Sequence, residues 1–357
     1  MQASQAGGEP VRILAIESSC DETAAAVVEN GVRVLSNIID SQIPIHRRFG
    51  GVVPEVASRR HLQAIWPVTQ QALEESGLTV EQLSAVAVTA GPGLVGSLLV
   101  GVSFAKALAF AWGKPLIGVH HWQGHIAALQ LERQMPREYL ALVVSGSHSG
   151  LLKINAQGLF PLGMSHDDAA GEAFDKIARA LYLPYPGGPE IDKAAKNGRA
   201  DAVAFPRAWL EGTDDFSFSG LKSAVLNYLN QRRMKGEDFS PAEINDLAAS
   251  AQEAICDVLS AKAVAAAQRE KLPLIALAGG VAANSRLRAL LQQRATAAGI
   301  ETVWPSPIYC TDNAAMIGAA AYGEYRLGHF ASLSLNADPR KPFPLQAAAK
   351  TAASVKA

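Results

Sequence analysis

The sequence predicts an α/β protein built from two similar lobes with a cleft between them. Buried-strand patterns, glycine-rich turns and apolar helices recur in the same order in the two halves of the chain. The 357 residues are enough for two compact domains of roughly 150–200 residues each. Because α/β sheets bind ligands beyond the carboxyl ends of their strands, we expect the functional site in the cleft. A single larger doubly wound sheet remains the alternative at this stage.

The first half opens with a buried-strand pattern that ends in small polar residues. Asn30-Gly31 separates the next two strand patterns and is a strong hairpin signal. A later strand leads through the turn Gly91-Pro92-Gly93 into an apolar helix. The predicted strands are residues 11–19, 23–29, 32–39, 83–89 and 115–119, and the predicted helices are residues 54–77 and 94–112.

The second half repeats this order. A buried strand and a turn are followed by a second strand, and a later strand again leads through a glycine turn, Gly279-Gly280, into a helix. The predicted strands are residues 139–145, 150–154, 274–278 and 302–304. The predicted helices lie within residues 168–268 and at residues 283–298 and 312–327.

These elements suggest the domain boundaries. We expect a first lobe at residues 11–137 and a second lobe at residues 138–330, whose last helix is free to pack back on the first lobe. Residues 1–10 are expected to form a disordered tail. Residues 331–357 are expected to form a largely disordered extension, since the final stretch is rich in Ala, Lys and Ser.

Composition limits the possible functions. The 32 Lys and Arg residues nearly balance the 33 Asp and Glu residues, so a polyanion would need a local basic patch or a partner protein. Three scattered cysteines favour a reducing compartment over a disulfide scaffold. The N-terminal residues have no apolar segment typical of a signal peptide, and a polar turn interrupts the longest apolar stretch. We therefore expect a soluble cytoplasmic protein without a membrane span.

A pair of histidines is the first candidate for chemistry. His121 and His125 stand four residues apart on a predicted helix, the spacing that one metal ion requires of a helical pair. Asp312, at the start of the last helix, is a candidate third ligand, although without a metal its position favours a helix cap. A zinc protease needs a glutamate directly after the first histidine, and Trp122 occupies that position.

Several glycine turns follow strands and indicate a nucleotide site. Glycine lets backbone N–H groups approach phosphates closely, although most such turns only reverse the chain. A P-loop lysine motif is absent from the sequence. Asp175 and Asp192, on either side of the Gly187-Gly188 turn, could accept ribose hydroxyls or could belong to a solvated helix face.

Four arginines lie within fourteen residues of the first half. Arginine is suited to bidentate phosphate contacts, but a charged run is usually a solvated surface. These candidates for phosphate contact are Arg47, Arg48, Arg59 and Arg60.

Taken together, these motifs resemble one family. They are residues 16–23 (IESSCDET), 51–55 (GVVPE), 91–94 (GPGL), 121–125 (HWQGH), 144–148 (VSGSH), 167–176 (DDAAGEAFDK), 185–192 (YPGGPEID), 216–222 (FSFSGLK), 278–284 (AGGVAAN) and 310–313 (CTDN). Their identity and order are similar to those of the tRNA N6-adenosine threonylcarbamoyltransferase family of bacterial type, formerly called the glycoprotease or O-sialoglycoprotein endopeptidase family. The resemblance covers about residues 11 to 330.

The resemblance implies an actin-like, Hsp70-like and sugar-kinase-like fold of two duplicated lobes with the active site in the cleft between them. It implies one divalent metal, Fe²⁺ or else Zn²⁺, held by His121, His125 and Asp312. The adenylate site of the family maps onto Val144, Ser145, Gly146, Ser147, His148, Asp175, Gly188, Asp192 and Asn284.

The sequence departs from the family pattern at three positions. Gln123 replaces a glutamate within the histidine pair, and the usual Gly-Gly-His-Thr turn contains Ser147 and Ser149. His166 stands where a threonine-like residue is usual. The metal ligands themselves are retained.

The resemblance also implies a reaction. The N6 amine of a tRNA adenosine attacks the carbonyl of threonylcarbamoyl-adenylate, and AMP leaves. Asp21 and Glu22 are our candidates for the base that accepts the amine proton. A shorter paralogous subunit (TsaB-like) and a small P-loop ATPase (TsaE-like) are the implied protein partners. An actin-fold ATPase or kinase, and less plausibly a metalloprotease, are the alternative functions.

Overall fold

The computed structural model describes residues 9–343. The terminal stretches 1–8 and 344–357, including most of the expected N-terminal tail, lie outside the described residues.

The described residues form two five-stranded sheets. The strands are β1 (Arg12–Glu17), β2 (Glu22–Glu29), β3 (Arg33–Ser41), β4 (Ala85–Gly91), β5 (Leu116–His120), β6 (Tyr139–Val144), β7 (Ser149–Asn155), β8 (Gly158–Met164), β9 (Leu274–Ala278) and β10 (Glu301–Val303).

The helices cover the faces of these sheets. They are α1 (Ile43–His46), α2 (Pro54–Ser76), α3 (Val95–Trp112), α4 (His121–Ala127), α5 (Ala170–Ala180), α6 (Gly187–Ala195), α7 (Ser219–Met234), α8 (Pro241–Arg269), α9 (Ser285–Ala297), α10 (Pro307–Cys310) and α11 (Ala314–Leu327).

The two sheets share one topology, which confirms the duplication predicted from the sequence. The first sheet has the order β3-β2-β1-β4-β5, and the second has the equivalent order β8-β7-β6-β9-β10. In each sheet the first three strands in sequence are antiparallel neighbours, while the last two run parallel to the first. The chain is therefore two α/β lobes rather than one larger doubly wound sheet.

Strand β8 is missing from the sequence-based prediction. Its sequence, GLFPLGM, contains two glycines and a proline, residues that weaken a strand signal. It lies at the edge of the second sheet, where Pro161 does not have to donate to a neighbour on both sides. The pairing with β7 also shifts register between Leu151 and Leu152, so the alternation of buried side chains is broken.

Two helices lie against the sheets where the lobes meet. Helix α11 packs on the face of the first sheet formed by Ile13, Ala15 and Ile117, whereas α2 and α3 cover its opposite face. Helix α4 packs through Trp122 and Ile126 on the second sheet and also contacts α11. Their N-terminal ends are consequently brought together at the cleft.

The described part of the expected C-terminal extension is ordered by contacts with the first lobe. Residues 331–343 begin with a bridge between Ala331 and Leu116, and the Asp338 N–H donates to the Ala90 carbonyl (2.9 Å). Residues 331–343 therefore pack on the first lobe, whereas residues 344–357 of the extension that we expected to be largely disordered lie outside the described residues. The composition signal on which that expectation was based comes from residues beyond 343.

Candidate active site and metal centre

A cavity of about 700 Å³ opens at the carboxyl ends of both central strands. The first lobe contributes the loop after β1, including Asp21, and the turn after β4, including Gly93. The second lobe contributes the turn after β6 and the start of α6. Another cavity, of about 590 Å³ and lined by residues 130–137 and Tyr139, contains none of the predicted site residues.

Three predicted metal ligands meet at one side of the larger cavity. The Nε2 atoms of His121 and His125 lie 3.1 Å apart, and both face Asp312 Oδ1, at 3.4 and 3.3 Å. Ligand atoms that surround one metal ion at about 2.0–2.1 Å are themselves about 3 Å apart. Two imidazoles and one carboxylate therefore fit a divalent metal and leave positions for a substrate.

The close approach of α4 and α11 makes this triad possible. A Cβ added to Gly124 would lie 2.7 Å from the end of the Ile317 side chain and 3.2 Å from the Met316 side chain, so a larger residue would require these side chains to move. Gly124, between the two histidines, thus has a packing role that the spacing of His121 and His125 did not reveal.

Asp312 is not the cap of the last helix. Asn313 occupies that position in an extended conformation, and its side chain accepts the Met316 N–H (3.0 Å). Asp312 therefore points its carboxylate at the histidines. Of the two interpretations left open by the sequence, the structure supports a ligand and contradicts a cap.

Sequence reasoning missed Glu17, the last residue of β1. Its carboxylate is completely buried and contacts the second ring nitrogen of His121 (Oε2 to Nδ1, 3.2 Å). It also accepts hydrogen bonds from the Ser19 N–H (2.5 Å) and the Thr89 hydroxyl (2.6 Å). A carboxylate behind a metal-binding histidine fixes its tautomer and raises its basicity. A glutamate inside an otherwise apolar strand was the signal available for finding it.

The electrostatics of the triad prepare it for a cation. Burial opposes a charged His121 ring, but the carboxylates of Asp312 and Glu17 outweigh burial and raise its pKa to about 10. Burial lowers the pKa of His125, which favours its neutral form. Since a metal binds neutral imidazole, it would replace the proton on His121.

The predicted phosphate-binding turn follows β6. Ser145 and His148 close it through a backbone hydrogen bond from N–H to carbonyl (2.8 Å). The N–H groups of Gly146 and Ser147, which both line the cavity, donate to no protein acceptor within residues 9–343. Free adjacent N–H groups form an anion-binding concavity. Val144, the last residue of β6, is buried beneath the turn rather than exposed in the cavity.

The other predicted adenylate-binding residues line the same cavity. Asp175 accepts the Gly187 N–H (2.7 Å), and burial raises its pKa to about 6. Asp192 accepts the Ser285 hydroxyl (2.7 Å). Asn284 accepts the Leu287 N–H (2.9 Å) and donates to Gln252 (2.8 Å), which leaves one amide hydrogen for a ligand.

Asp21 and Glu22 lie on the floor of the cavity and differ in their surroundings. Burial, together with the charge of Asp312, raises the pKa of Asp21. Burial and the adjacent Asp21 charge raise the pKa of Glu22 to about 9. Glu22 Oε1 accepts the Ser41 hydroxyl (2.9 Å), while Oε2 is buried with no hydrogen-bond partner within residues 9–343. Glu22 is therefore a neutral acid at pH 7.

The four arginines do not form one cluster. Arg47 donates from Nε to the Tyr185 carbonyl across the cleft (2.9 Å), and the Tyr185 hydroxyl reaches Asp21 Oδ2 (3.3 Å). Arg48 and Arg59 are exposed. Arg60 is paired with Asp40 through two hydrogen bonds of 3.1 Å.

The structure adds two cations that the sequence did not single out. Lys193 and Lys196 lie one turn apart on and just after α6, and both line the cavity mouth. Tyr185 was likewise missed, because its contacts with the first lobe join residues more than 130 positions apart in sequence.

With this geometry established, comparisons with known proteins identify the family. The family model described as "tRNA N6-adenosine threonylcarbamoyltransferase" matches residues 33–319. The chain belongs to the tRNA N6-adenosine threonylcarbamoyltransferase family.

Relatives of the same description are similar over nearly the whole chain. One from Clostridium botulinum strain 657 is 56% identical over 334 residues, which cover 93% of this chain and 97% of that relative. One from Clostridium perfringens strain 13 is 56% identical over 330 residues, which cover 92% and 96%.

Solved structures agree on the fold. HypF of T. kodakarensis is 16% identical with a TM-score of 0.62, covering 91% of this chain and 50% of that one. Component A of (R)-2-hydroxyglutaryl-CoA dehydratase from Acidaminococcus fermentans is 13% identical with a TM-score of 0.51, covering 88% and 99%. These likenesses support the predicted actin-like arrangement of two lobes.

The departures from the threonylcarbamoyltransferase pattern leave the triad intact. Gln123 accepts the His120 N–H (3.4 Å) at the start of α4, away from the metal ligands. The Ser147 hydroxyl lies 2.7 Å from His148 Nδ1, so it orients a ring that borders the cavity. His166 is exposed and pairs with Asp215 (2.9 Å).

We predict that Glu17→Gln weakens divalent metal binding by about 10- to 100-fold, since outer partners of metal ligands have effects of this size. The amide keeps the shape of the side chain but removes the charge behind His121. Zinc affinity measured by competition with a chromogenic chelator tests this. Glu75→Gln, on the exposed end of α2, is the matched control. Equal affinities for Glu17→Gln and wild type would refute the role of Glu17.

Proposed function

We propose that this protein transfers the threonylcarbamoyl group from threonylcarbamoyl-adenylate to N6 of the adenosine 3′ of the anticodon, in tRNAs that read codons beginning with A. The products are N6-threonylcarbamoyladenosine and AMP, and the enzyme is an acyltransferase. One observation carries the proposal. In a chain of this family, the His121–His125–Asp312 triad and a glycine turn with N–H groups unpaired within residues 9–343 lie in the same cleft.

The second lobe supplies the groups that would hold the adenylate. The free N–H groups of Gly146 and Ser147 suit its phosphate, which carries a negative charge throughout the reaction. Asp175 and Asp192, beside Gly188, suit the ribose hydroxyls as acceptors. The remaining amide hydrogen of Asn284 adds a donor on the same wall.

His121, His125 and Asp312 would hold the metal, which we propose to be Fe²⁺, with Zn²⁺ as the alternative. When bound, a divalent metal supplies a Lewis acid that polarises a carbonyl group. Glu17 keeps the proton of His121 on Nδ1, so that Nε2 is free to act as the ligand. The protein thus orients the His121 ring before any substrate arrives.

We propose different roles for the two acidic residues near β2. The attacking N6 amine must lose a proton, and we assign its acceptance to the Asp21 carboxylate, which lines the cavity. Glu22 is protonated at neutral pH, so its buried free oxygen can donate a hydrogen bond rather than accept a proton. The Tyr185 hydroxyl orients Asp21 from the opposite lobe.

We propose that tRNA approaches over the cavity mouth. Arg47 of the first lobe contacts the cavity-lining Tyr185, Arg48 is the next residue and is exposed, and Lys193 and Lys196 of the second lobe line the cavity. Cations on both sides of the opening can contact the phosphates that flank an extruded base. Arg60 has its guanidinium paired with Asp40, so the exposed Arg47, Arg48 and Arg59 are the arginines left for this contact.

We propose that the shorter paralogous subunit docks on the outer surface of α2 and α3. Four apolar side chains are exposed there although both helices pack together: Leu62, Trp66, Val95 and Leu99. Trp66 also contacts Phe104 of α3 edge to face (6.3 Å between centroids). Several exposed apolar side chains on two neighbouring helices are typical of a protein interface. The proposed small P-loop ATPase partner follows from membership of the family.

We propose a cytoplasmic location. One described helix, Val95–Trp112, is long and apolar enough to cross a membrane. Within this fold, however, Leu98, Val102 and Ala105 bury its inner face in the core of the first lobe, and its outer face belongs to the proposed protein interface.

We predict opposite outcomes for two isosteric substitutions. Asp21→Asn should lower kcat by about 10²- to 10⁴-fold, the usual contribution of a general base, with little change in KM for the adenylate. Glu22→Gln should keep a kcat within about tenfold of wild type, because an amide replaces an already neutral acid.

Wild-type activity should fall as pH rises through about 9, where Glu22 loses its proton, and Glu22→Gln should lack this fall. Single-turnover rates between pH 6 and 10 test both points, and equal losses in the two variants would contradict the assignment.

We predict that Trp66→Glu weakens association with the paralogous subunit by at least about tenfold, because a charge would be buried in an apolar contact. Sedimentation velocity of the mixed subunits measures the effect. Met234→Glu, which alters an exposed apolar residue of the second lobe, is the control and should bind normally. Normal binding by Trp66→Glu would rule out this surface.

The proposed function predicts that purified protein, given threonylcarbamoyl-adenylate, unmodified tRNA and the partner proteins, forms threonylcarbamoyladenosine detectable by nucleoside mass spectrometry. His121→Ala should lose most of the product, while His329→Ala, at an exposed histidine, should not. Product at equal rates in both variants would exclude His121 as a required ligand. Absence of product from wild type, with a known homologue active under the same conditions, would favour an ATPase or a peptidase instead.

A further inference from the structure

The segment of residues 331–343, named here the C-terminal brace, follows α11 along the first lobe. The Ala331 N–H donates to the Leu116 carbonyl at the edge strand β5 (2.8 Å). Leu335 then lies against Gly118, and its carbonyl accepts a hydrogen bond from the Lys106 ammonium of α3 (3.1 Å). These contacts guide the brace towards the cleft.

The middle of the brace shapes a cleft turn. Asp338 donates its N–H to the Ala90 carbonyl (2.9 Å), and the Pro339 carbonyl accepts the Gly93 N–H (3.4 Å). Gly91 has a positive φ of 145°, and a Cβ there would lie 1.9 Å from the Asp338 carbonyl oxygen. The glycine turn after β4 therefore packs directly against the brace, and Pro339 lines the cavity.

The end of the brace reaches the helix that carries both histidine ligands. The Lys341 carbonyl lies 3.2 Å from Nε2 of the buried His120, and the Phe343 ring packs edge to face against the same imidazole (5.1 Å between centroids). Since a carbonyl only accepts, Nε2 must carry the proton. Nδ1 of a neutral ring is then an acceptor, and it accepts the Trp122 N–H (3.2 Å).

This hydrogen bond caps α4, which has only seven residues and begins at His121. A helix this short has little stability of its own, so its first turn depends on satisfied N–H groups. Histidine is not among the preferred capping residues, and it can cap only when Nδ1 is unprotonated. The Lys341 carbonyl fixes the tautomer of His120, and through this cap it influences the position of His121.

We infer that the C-terminal brace positions the metal centre: the Lys341 carbonyl fixes the tautomer of His120, and His120 holds the turn that carries His121 and His125. The inference rests on the metal site of the proposed function but does not depend on the reaction. Its test therefore measures zinc binding alone.

Two truncated chains that differ by three residues distinguish the effect of losing the end of the brace from the effect of losing residues 344–357. A chain ending at Phe343 keeps the Lys341 carbonyl, whereas one ending at Arg340 loses it but retains the contacts of Leu335, Asp338 and Pro339. The shorter chain should bind Zn²⁺ at least about tenfold more weakly in chelator competition, the usual effect of losing an outer partner. The chain ending at Phe343 should match the full-length protein. Equal zinc affinity in the two truncated chains would overturn the inference.

Full-length substitutions at His120 give an independent readout if truncation disturbs folding. His120→Ala removes the cap and should weaken Zn²⁺ binding by at least about tenfold. Asparagine is a preferred cap that needs no tautomer fixed by the brace, so His120→Asn should stay within about threefold of wild type. Removal of residues 341–343 should then cost the His120→Asn chain less than about threefold in affinity.

The remaining outcomes are also decisive. Wild-type zinc affinity in His120→Ala would overturn the positioning role. A full-length wild-type chain that fails to bind Zn²⁺ would overturn both the metal site and the brace. Because threonylcarbamoyladenosine formation is measured separately, failure of the transferase proposal remains distinguishable from failure of this one.

Discussion

The hydrogen bond between the Glu17 carboxylate and the His121 imidazole is the contact on which the cleft depends. It joins the end of the first strand to the first residue of α4, two elements that are more than a hundred positions apart in sequence. A fully buried carboxylate is costly unless it is paired, and here a histidine, a hydroxyl and a backbone N–H satisfy it. The same contact leaves Nε2 of His121 facing His125 and Asp312. This one interaction therefore connects the candidate metal centre to the central strand of the first sheet.

Duplication explains how the rest of the site assembles around this contact. Each lobe places a turn beyond the carboxyl end of its first strand, and in the second lobe that turn carries the free N–H groups of Gly146 and Ser147. Helices α4 and α11 pack closely at Gly124, and this packing brings Asp312 to the histidines. A candidate cation site therefore lies beside the first sheet, and a candidate anion site lies at the end of the second. A phosphate-linked acyl donor can span the two.

Much of this arrangement was readable from the sequence, because it depends on local patterns. The hairpin at Asn30-Gly31, the helical spacing of His121 and His125, and the recurrence of strand, turn and strand all follow from short-range chemistry. Residues whose roles arise from distant contacts could not be found in that way. Glu17, Tyr185 and the brace carbonyl of Lys341 contact partners 104, 164 and 221 positions away. Asp312 was ambiguous because a helix cap and a metal ligand share the same sequence signature, and the neighbouring Asn313 turned out to be the cap.

The most direct test of this account asks whether the metal centre and the acyl transfer belong to one site. The protein would be stripped of metal, mixed with threonylcarbamoyl-adenylate, tRNA and the partner proteins, and assayed in a single turnover for AMP and threonylcarbamoyladenosine together. The account predicts that neither product forms until Fe²⁺ or Zn²⁺ is restored, after which both appear in equal amounts. Full-rate formation of threonylcarbamoyladenosine by protein shown to be free of metal would contradict it.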